Sequence, residues 1–214
     1  MYRKISSRLI GSLIGLALIG LGLFMVGKPF IETWFRGNQD ASALSAWKSG
    51  GSSNLAKHIA VTNLSETTPC HTTSAPSSDY ALVTFPSLSQ YGYQGVAGNG
   101  TWAMLNVRSM VHWYGSPNPG QYGNVIIAFH REPDFEYINQ LNVGDVVTIE
   151  SRDCNIYQYT VTQKWDLAPD QVTQLVPTNG YNLTLITCTP WWQDYDRFVW
   201  RATLTAINGK PFTS

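Results

Sequence analysis

Residue types that together can open an amide bond lie at strand ends in the second half of the chain. The stretch "LTLITCTPWWQDYDRFVWRATL" (183–204) closes an apolar run on Cys188 and opens the next with Arg197. If 183–189 and 197–207 are neighbouring antiparallel strands, thiol and guanidinium share one end of a sheet, joined by the loop "PWWQDYD". A nearby cation lowers a thiol's pKa and favours the nucleophilic thiolate. Spacing alone leaves two readings of Arg197 open: it activates Cys188, or it is a solvated charge that begins a strand. Cys188 is likewise either a reactive thiol or a small buried apolar residue.

Proton transfer needs a third group, and histidine is the usual one. The four histidines are His58, His71, His112 and His130. His58 and His71 lie in polar, loop-like sequence, and "SMVHWYG" offers His112 no evident strand end. His130 ends the apolar run "NVIIAF" and is followed by Arg131, so it is held at a strand terminus as Cys188 is. Asp194 and Asp196 flank Tyr195 before Arg197, but two carboxylates without further oxygen ligands make a poor calcium site, and no metal site is expected. Asn63, Asn99 and Asn182 begin N-x-S/T triplets, a pattern common by chance.

The elements that must position these residues are strands. "YALVTF" (80–85), "NVIIAFH" (124–130), "DVVTIES" (145–151), "IYQYTVTQ" (156–163), "LTLITCT" (183–189) and "RFVWRATLTAI" (197–207) are β-branched and aromatic runs bounded by Gly, Pro, Asn and Asp. Phe135, Ile138 and Leu141, three apart, fit about two helical turns, and Pro169 can open another short turn before Leu175. Many short strands with few helices predict an all-β fold closed into a barrel. Along the last strand Phe198, Trp200, Ala202 and Leu204 share one face and Arg197, Val199, Arg201 and Thr203 the other. The apolar set belongs inside, which leaves the arginines on the outer wall.

The N-terminus is of another kind. Residues 9–27 ("LIGSLIGLALIGLGLFMVG") are uncharged and mostly apolar, and roughly 20 such residues cross a bilayer as a helix. The run is longer than a signal-peptide core, and the nearest small-residue cleavage site, Ala41-Ser42-Ala43, lies well downstream, which favours an uncleaved anchor over a cleaved peptide. Arg3, Lys4 and Arg8 precede the span, which places residues 1–8 in the cytoplasm and the rest of the chain outside. Residues 28–55, rich in Ser, Gly, Ala and Asn, read as a flexible stalk, and 56–214 as the extracytoplasmic domain. With few charged residues and a formal net charge of zero, nothing predicts a nucleic-acid partner, which would need a basic face. Three cysteines leave two arrangements: Cys70 paired with Cys154 and Cys188 free, or all three free.

With these residues in view, the chain resembles the sortases. "TLITC" (184–188) followed by Arg197 in "DRFVW" is similar to their TLxTC…R signature, and 122–150 and 157–188 resemble the stretches that lead to the family's histidine and cysteine. The resemblance spans roughly residues 80–207. Two departures bear on substrate preference: Phe129 stands before the histidine where members usually carry a small residue, and Trp191 and Trp192 make the loop after the cysteine bulky. The resemblance implies a sortase-type barrel and a cysteine transpeptidase without cofactor. Cys188 would attack the Thr carbonyl of an LPxTG-like C-terminal sorting signal on a secreted protein and form a thioester. His130 would move the protons, and Arg197 would hydrogen-bond the oxyanion or the substrate backbone. The acyl group would pass to a cell-wall amine, or to a pilin lysine in a pilus-building member. Thr187 either helps to position the substrate or packs within its strand; Trp191 and Trp192 either line the groove or cover the barrel end. "GNVIIAFHRE" and "APDQVTQLVPT" look most like the class D and E branches.

Two rivals differ in chemistry. Papain-type hydrolases place the cysteine before the histidine, the reverse of the order here, and L,D-transpeptidases hold both in one short glycine-containing motif that is absent. A non-enzymatic, membrane-anchored β-barrel that binds a partner would carry an inert Cys188.

Overall fold

Alternating β-branched and aromatic residues need two environments, and a closed sheet supplies both. The computed structural model describes residues 7–49, 78–171 and 173–213. After a helix α1 (Ser7–Ser49) come strands β1 (Asp79–Thr84), β2 (Gln94–Gly100), β3 (Met110–Trp113), β4 (Gly123–Phe129), β5 (Val146–Ser151), β6 (Ile156–Leu167), β7 (Tyr181–Thr189), β8 (Asp196–Ile207) and β9 (Lys210–Pro211). The sheet order is β6-β5-β1-β2-β3-β4-β7-β8-β9, and pairing of β6 with β8 closes eight strands into a barrel. Pairs β2–β3 and β4–β7 are parallel; the others are antiparallel.

The barrel interior takes every second residue: Val125, Ile127 and Phe129 from β4, Leu183 and Leu185 from β7, and Trp200, Ala202 and Leu204 from β8, with Phe198 packed against them. This is the inward face read from the last strand. Phe85, Phe129 and Phe135 form a triangle of rings with centroids 5.2–6.0 Å apart, a geometry that adds edge attraction to area burial. The indole Nε1 of buried Trp200 donates to the Leu141 carbonyl at 2.9 Å, so the largest core side chain carries no orphaned donor.

Both faces of β4 are buried, because the β6–β7 connector crosses its outer face. Asn124 Nδ2 donates to the carbonyls of Gln174 (3.1 Å) and Val176 (2.9 Å), and Arg201 Nη2 donates to Gln174 at 2.6 Å. That connector carries the turns expected near Pro169, as 3₁₀ segments Pro169–Gln171 and Thr173–Leu175. The Phe135–Leu141 pattern tightens to one 3₁₀ turn, Ile138–Gln140, with Phe135, Ile138 and Leu141 all buried.

The stalk reading needs correction as far as residue 49: residues 28–49 are helical and belong to α1, and 37–49 are its linker-like part. Small and polar residues dominate there, but Asp40, Ala43, Leu44 and Trp47 recur at helical spacing and make a stripe. Trp47 is fully buried, with Ala43, against Leu82 of β1 and Val96 of β2, and its Nε1 faces Glu150 Oε1 at 3.4 Å. The alanines add helix propensity. Residues 50–77, which hold Cys70, His58, His71 and the expected boundary at residue 56, lie outside the described residues.

Candidate active site

Residue alternation and strand register bring three side chains into one row. In β4, Phe129 points into the core, so the following residue, His130, belongs to the outer face. In β7, buried Thr187 faces inward and Cys188 outward. The parallel β4–β7 register sets Ala128 beside Ile186; two residues on, His130 comes level with Cys188. The antiparallel β7–β8 register sets Cys188 directly opposite Arg197. Neighbouring strands lie about 4.8 Å apart, so the cysteine sits one strand from each partner. Arg201 pairs with Thr184, four residues away from this row.

His130 and Arg197 are held by backbone carbonyls. His130 N donates to the Ser109 carbonyl at 2.8 Å, and its ring Nε2 lies 2.9 Å from the Leu105 carbonyl. A carbonyl only accepts, so Nε2 carries the proton and Nδ1 is the nitrogen left for proton transfer. Leu105 belongs to the 3₁₀ segment Trp102–Asn106 that links β2 to β3. Arg197 Nη1 donates to the carbonyls of Asp194 (2.7 Å) and Asp196 (2.9 Å), which fixes one arm of the guanidinium against the β7–β8 loop. The two aspartates thus serve Arg197 through their backbone. Among the described residues no cluster of three or more His, Cys, Asp or Glu side chains could hold a metal ion.

Burial sets the electrostatics. It pushes the Cys188 thiol up from its ordinary value; Arg197 pulls it down, and Glu132 and Asp194 push it up again. The cation therefore acts in the direction expected from the sequence but is outweighed by desolvation. Burial and the charge of Arg36 lower the His130 imidazole, against the raising influence of the Leu105 hydrogen bond and Glu132. Both shifts favour the neutral thiol and the neutral imidazole over the thiolate–imidazolium pair.

Thr187 lies outside the row. It is 2% exposed and its Oγ1 donates to the Phe129 carbonyl at 2.6 Å, tying β7 to β4 immediately before the two reactive side chains. Its side chain faces the core, away from the row, where it packs within its strand. Phe129 likewise faces the core, so the bulky residue before the histidine does not enter the row. Trp191 and Trp192 lie in the loop beyond Cys188 with ring centroids 5.6 Å apart. Trp192 is 47% exposed and its N donates to Glu132 Oε1 at 2.6 Å; Trp191 is half-buried.

Sequence alone does not single out Glu132, Leu105 or Ser109. The charged run after His130 is the visible sign of the first; the other two act through backbone, which no side-chain pattern marks. Arg131 is buried, with Nη1 on Thr189 Oγ1 at 3.0 Å and Nε and Nη2 on the Glu136 carbonyl, so it joins the loop after β4 to the end of β7. His112 has both ring nitrogens engaged, by Asn99 and by the Pro117 carbonyl, and stacks on Tyr80, as a structural histidine does. Cys154 is disulfide-bonded and Cys188 is free; the other half of that bond lies outside the described residues.

The row can be compared with known proteins. No curated protein matches the chain. Among solved structures, a sortase D5 transpeptidase from Clostridium perfringens is 25% identical, with a TM-score of 0.54, over 76% of this chain and 99% of that one. Sortase C1 from Streptococcus agalactiae is 25% identical, with a TM-score of 0.54, over 61% and 69% of the two chains. Sortase E from Streptomyces avermitilis shares the fold, at 24% identity and a TM-score of 0.53 over 60% and 89%. A family model, the Sortase domain, matches residues 85–205, a stretch that contains His130, Cys188 and Arg197: the chain belongs to the sortases, a family of cysteine transpeptidases.

Proposed function

We propose that this sortase cleaves an LPxTG-like C-terminal sorting signal on secreted proteins and transfers the protein to an amine of the cell wall. The observation that carries this reading is the single row in which Cys188 is flanked by His130 and Arg197. Cys188 Sγ passes its proton to His130 Nδ1 and, as thiolate, attacks the Thr carbonyl carbon, forming a C–S bond while the carbonyl electrons move to oxygen. Arg197, with Nη1 fixed by the loop, donates to that oxyanion from its remaining N–H groups. Collapse breaks the C–N bond, and the proton on His130 Nδ1 goes to the departing glycine amine. The incoming amine attacks the thioester, loses a proton to His130 and expels the thiolate. Splitting the exchange through an acyl-enzyme lets one site serve two amines in turn. Trp191 and Trp192, on the loop beyond the cysteine, border the groove.

α1 supports a membrane-anchored location. Its apolar window has a mean hydropathy of 2.0 and none of it is buried, and Arg3, Lys4 and Arg8 on its N-terminal side favour a cytoplasmic N-terminus. The test is to incubate the full chain, in detergent, with LPxTG and LAxTG peptides and a panel of amines, and to identify products by mass. Cleavage after Thr with amine capture is expected, and Cys188→Ala should abolish it while melting as the parent does. A chain that cleaves neither peptide, or a Cys188→Ala variant that still does, contradicts the reading. An inert thiol in the native chain would favour a binding role instead.

A further inference from the structure

The part of α1 beyond Phe35 packs on the barrel directly behind the histidine. Trp47 and Ala43 fix the helix on β1 and β2. About two turns earlier, the Asp40 carboxylate accepts from the Ser109 backbone N–H, at 3.2 Å to Oδ1 and 3.1 Å to Oδ2. The carbonyl of the same Ser109 accepts from His130 N at 2.8 Å. One buried residue thus spans from helix to histidine, its N–H on Asp40 and its C=O on His130. The preceding residue, Arg108, pairs with buried Asp79 of β1, which pins the other side of the link. His130 lies just past the last residue of β4, where the ladder to β3 ends at Met110–Phe129, so its backbone position depends on this contact.

Burial pushes the Asp40 carboxyl up from its ordinary range, and the Ser109 hydrogen bonds and the charges of Arg108 and Arg36 pull it back. Asn at position 40 would keep one oxygen acceptor for Ser109, whereas Leu would fill similar space without any.

We propose that Asp40 is a positioning residue for the transpeptidase: through Ser109 it holds the strand end that carries His130, which makes the barrel-facing part of α1 a working part of the catalytic domain rather than a tether. The catalytic half of this statement rests on the proposed function; the structural half does not. A histidine displaced by about 1 Å can cost up to about 100-fold in rate, and a loss confined to kcat is the mark of a residue that acts through the Ser109 backbone rather than on substrate.

The test uses the full chain in detergent, as parent, Asp40→Asn and Asp40→Leu, with Asp40→Ala as a second apolar variant. In cleavage of the signal peptide, kcat should fall about 10- to 100-fold in Asp40→Leu with KM within about twofold, and Asp40→Asn should recover to within about threefold of the parent. Hydrogen exchange is read in parallel on peptides spanning 106–112 and 127–133. The Ser109 and His130 amides should exchange about tenfold faster or more in Asp40→Leu and near parental rates in Asp40→Asn. If the parent cleaves no peptide, the proposed function fails and the exchange data still decide the link. Parental kcat and exchange in a folded Leu or Ala variant overturn the proposal, as does equal loss in Asn and Leu. If Leu and Ala both fail to fold while Asn folds, Asp40 is a stabilising residue only and the proposal is overturned.

Discussion

Replacing Arg197 and Arg201 separately tests the strand register at the site. Both project from the outer face of β8, but Arg197 is paired with Cys188 and Arg201 with Thr184, and four strand steps separate them by about 13 Å. Removing one oxyanion donor typically costs about 10²–10³ in rate, or about 2.7–4 kcal/mol, so Arg197→Ala should lose that much in kcat. Lysine keeps the charge but cannot hold the Asp194 and Asp196 carbonyls and still present a fixed donor; a loss of roughly 10–100-fold is expected, below the alanine figure. Arg201→Ala deletes the hydrogen bond from Nη2 to the Gln174 carbonyl. Such a bond from a charged donor is worth about 1.5–3 kcal/mol, and the carbonyl keeps Asn124 as a donor, which favours the low end. At about 2–4 °C per kcal/mol, its melting temperature should fall by about 3–6 °C with turnover within about threefold. The assay is steady-state cleavage of one fluorogenic peptide alongside thermal melts by circular dichroism. Equal loss of turnover in the two alanine variants, both normally folded, would refute the register and the role assigned to Arg197.

Other outcomes follow from the same geometry. With the thiol raised and the imidazole lowered, kcat/KM should be bell-shaped, its acid limb below the usual histidine value and its basic limb above the usual cysteine value; removing the Arg197 cation should move the basic limb higher still, and a fixed or lowered limb would contradict the pairing. His112 and His130 are both lowered by burial, so the unfolded chain binds protons more readily: their stabilisation is complete above the unfolded histidine pKa of about 6.5 and lost as pH falls below it. A melting temperature no lower at pH 5 than at pH 7.5 would count against both placements. Thr187→Val, which leaves the buried Phe129 carbonyl one donor short, should cost about 1–3 kcal/mol with KM within about twofold; a tenfold rise in KM at unchanged melting temperature would put Thr187 in contact with substrate. Protease added to intact cells should reach the barrel domain, and protection until lysis would reverse the orientation assigned from Arg3, Lys4 and Arg8.

The cysteine–arginine pair was legible because both residues lie on consecutive strands with a short loop and clean alternation, which fixes side and end together. His130 was legible only as a strand-end residue. That its strand lies parallel to β7 is a non-local pairing, with β5 and β6 intervening in sequence, and no local pattern announces it. The inward placement of Thr187 and Phe129 follows from the alternation that puts Cys188 and His130 outward, once one face is known. Strands β2 ("QGVAGNG") and β3 ("MVHW") escape pattern reading, the first because glycines mask it and the second because four residues hold too little periodicity. The helical continuation through Trp47 depends on the paired Leu82 and Val96 of β1 and β2 that receive the indole, a tertiary effect that overrides a linker-like composition. The net upward shift of the Cys188 thiol depends on burial, which sequence spacing does not report.

The most direct measurement is the intact mass of the full chain after rapid mixing with an LPxTG peptide in the absence of amine. A transient adduct equal to the peptide's acyl portion should appear, map to Cys188 by digestion at acid pH, and discharge on addition of an amine or hydroxylamine. Turnover of the peptide with no acyl adduct, or an adduct on any residue other than Cys188, would contradict the proposed thioester mechanism.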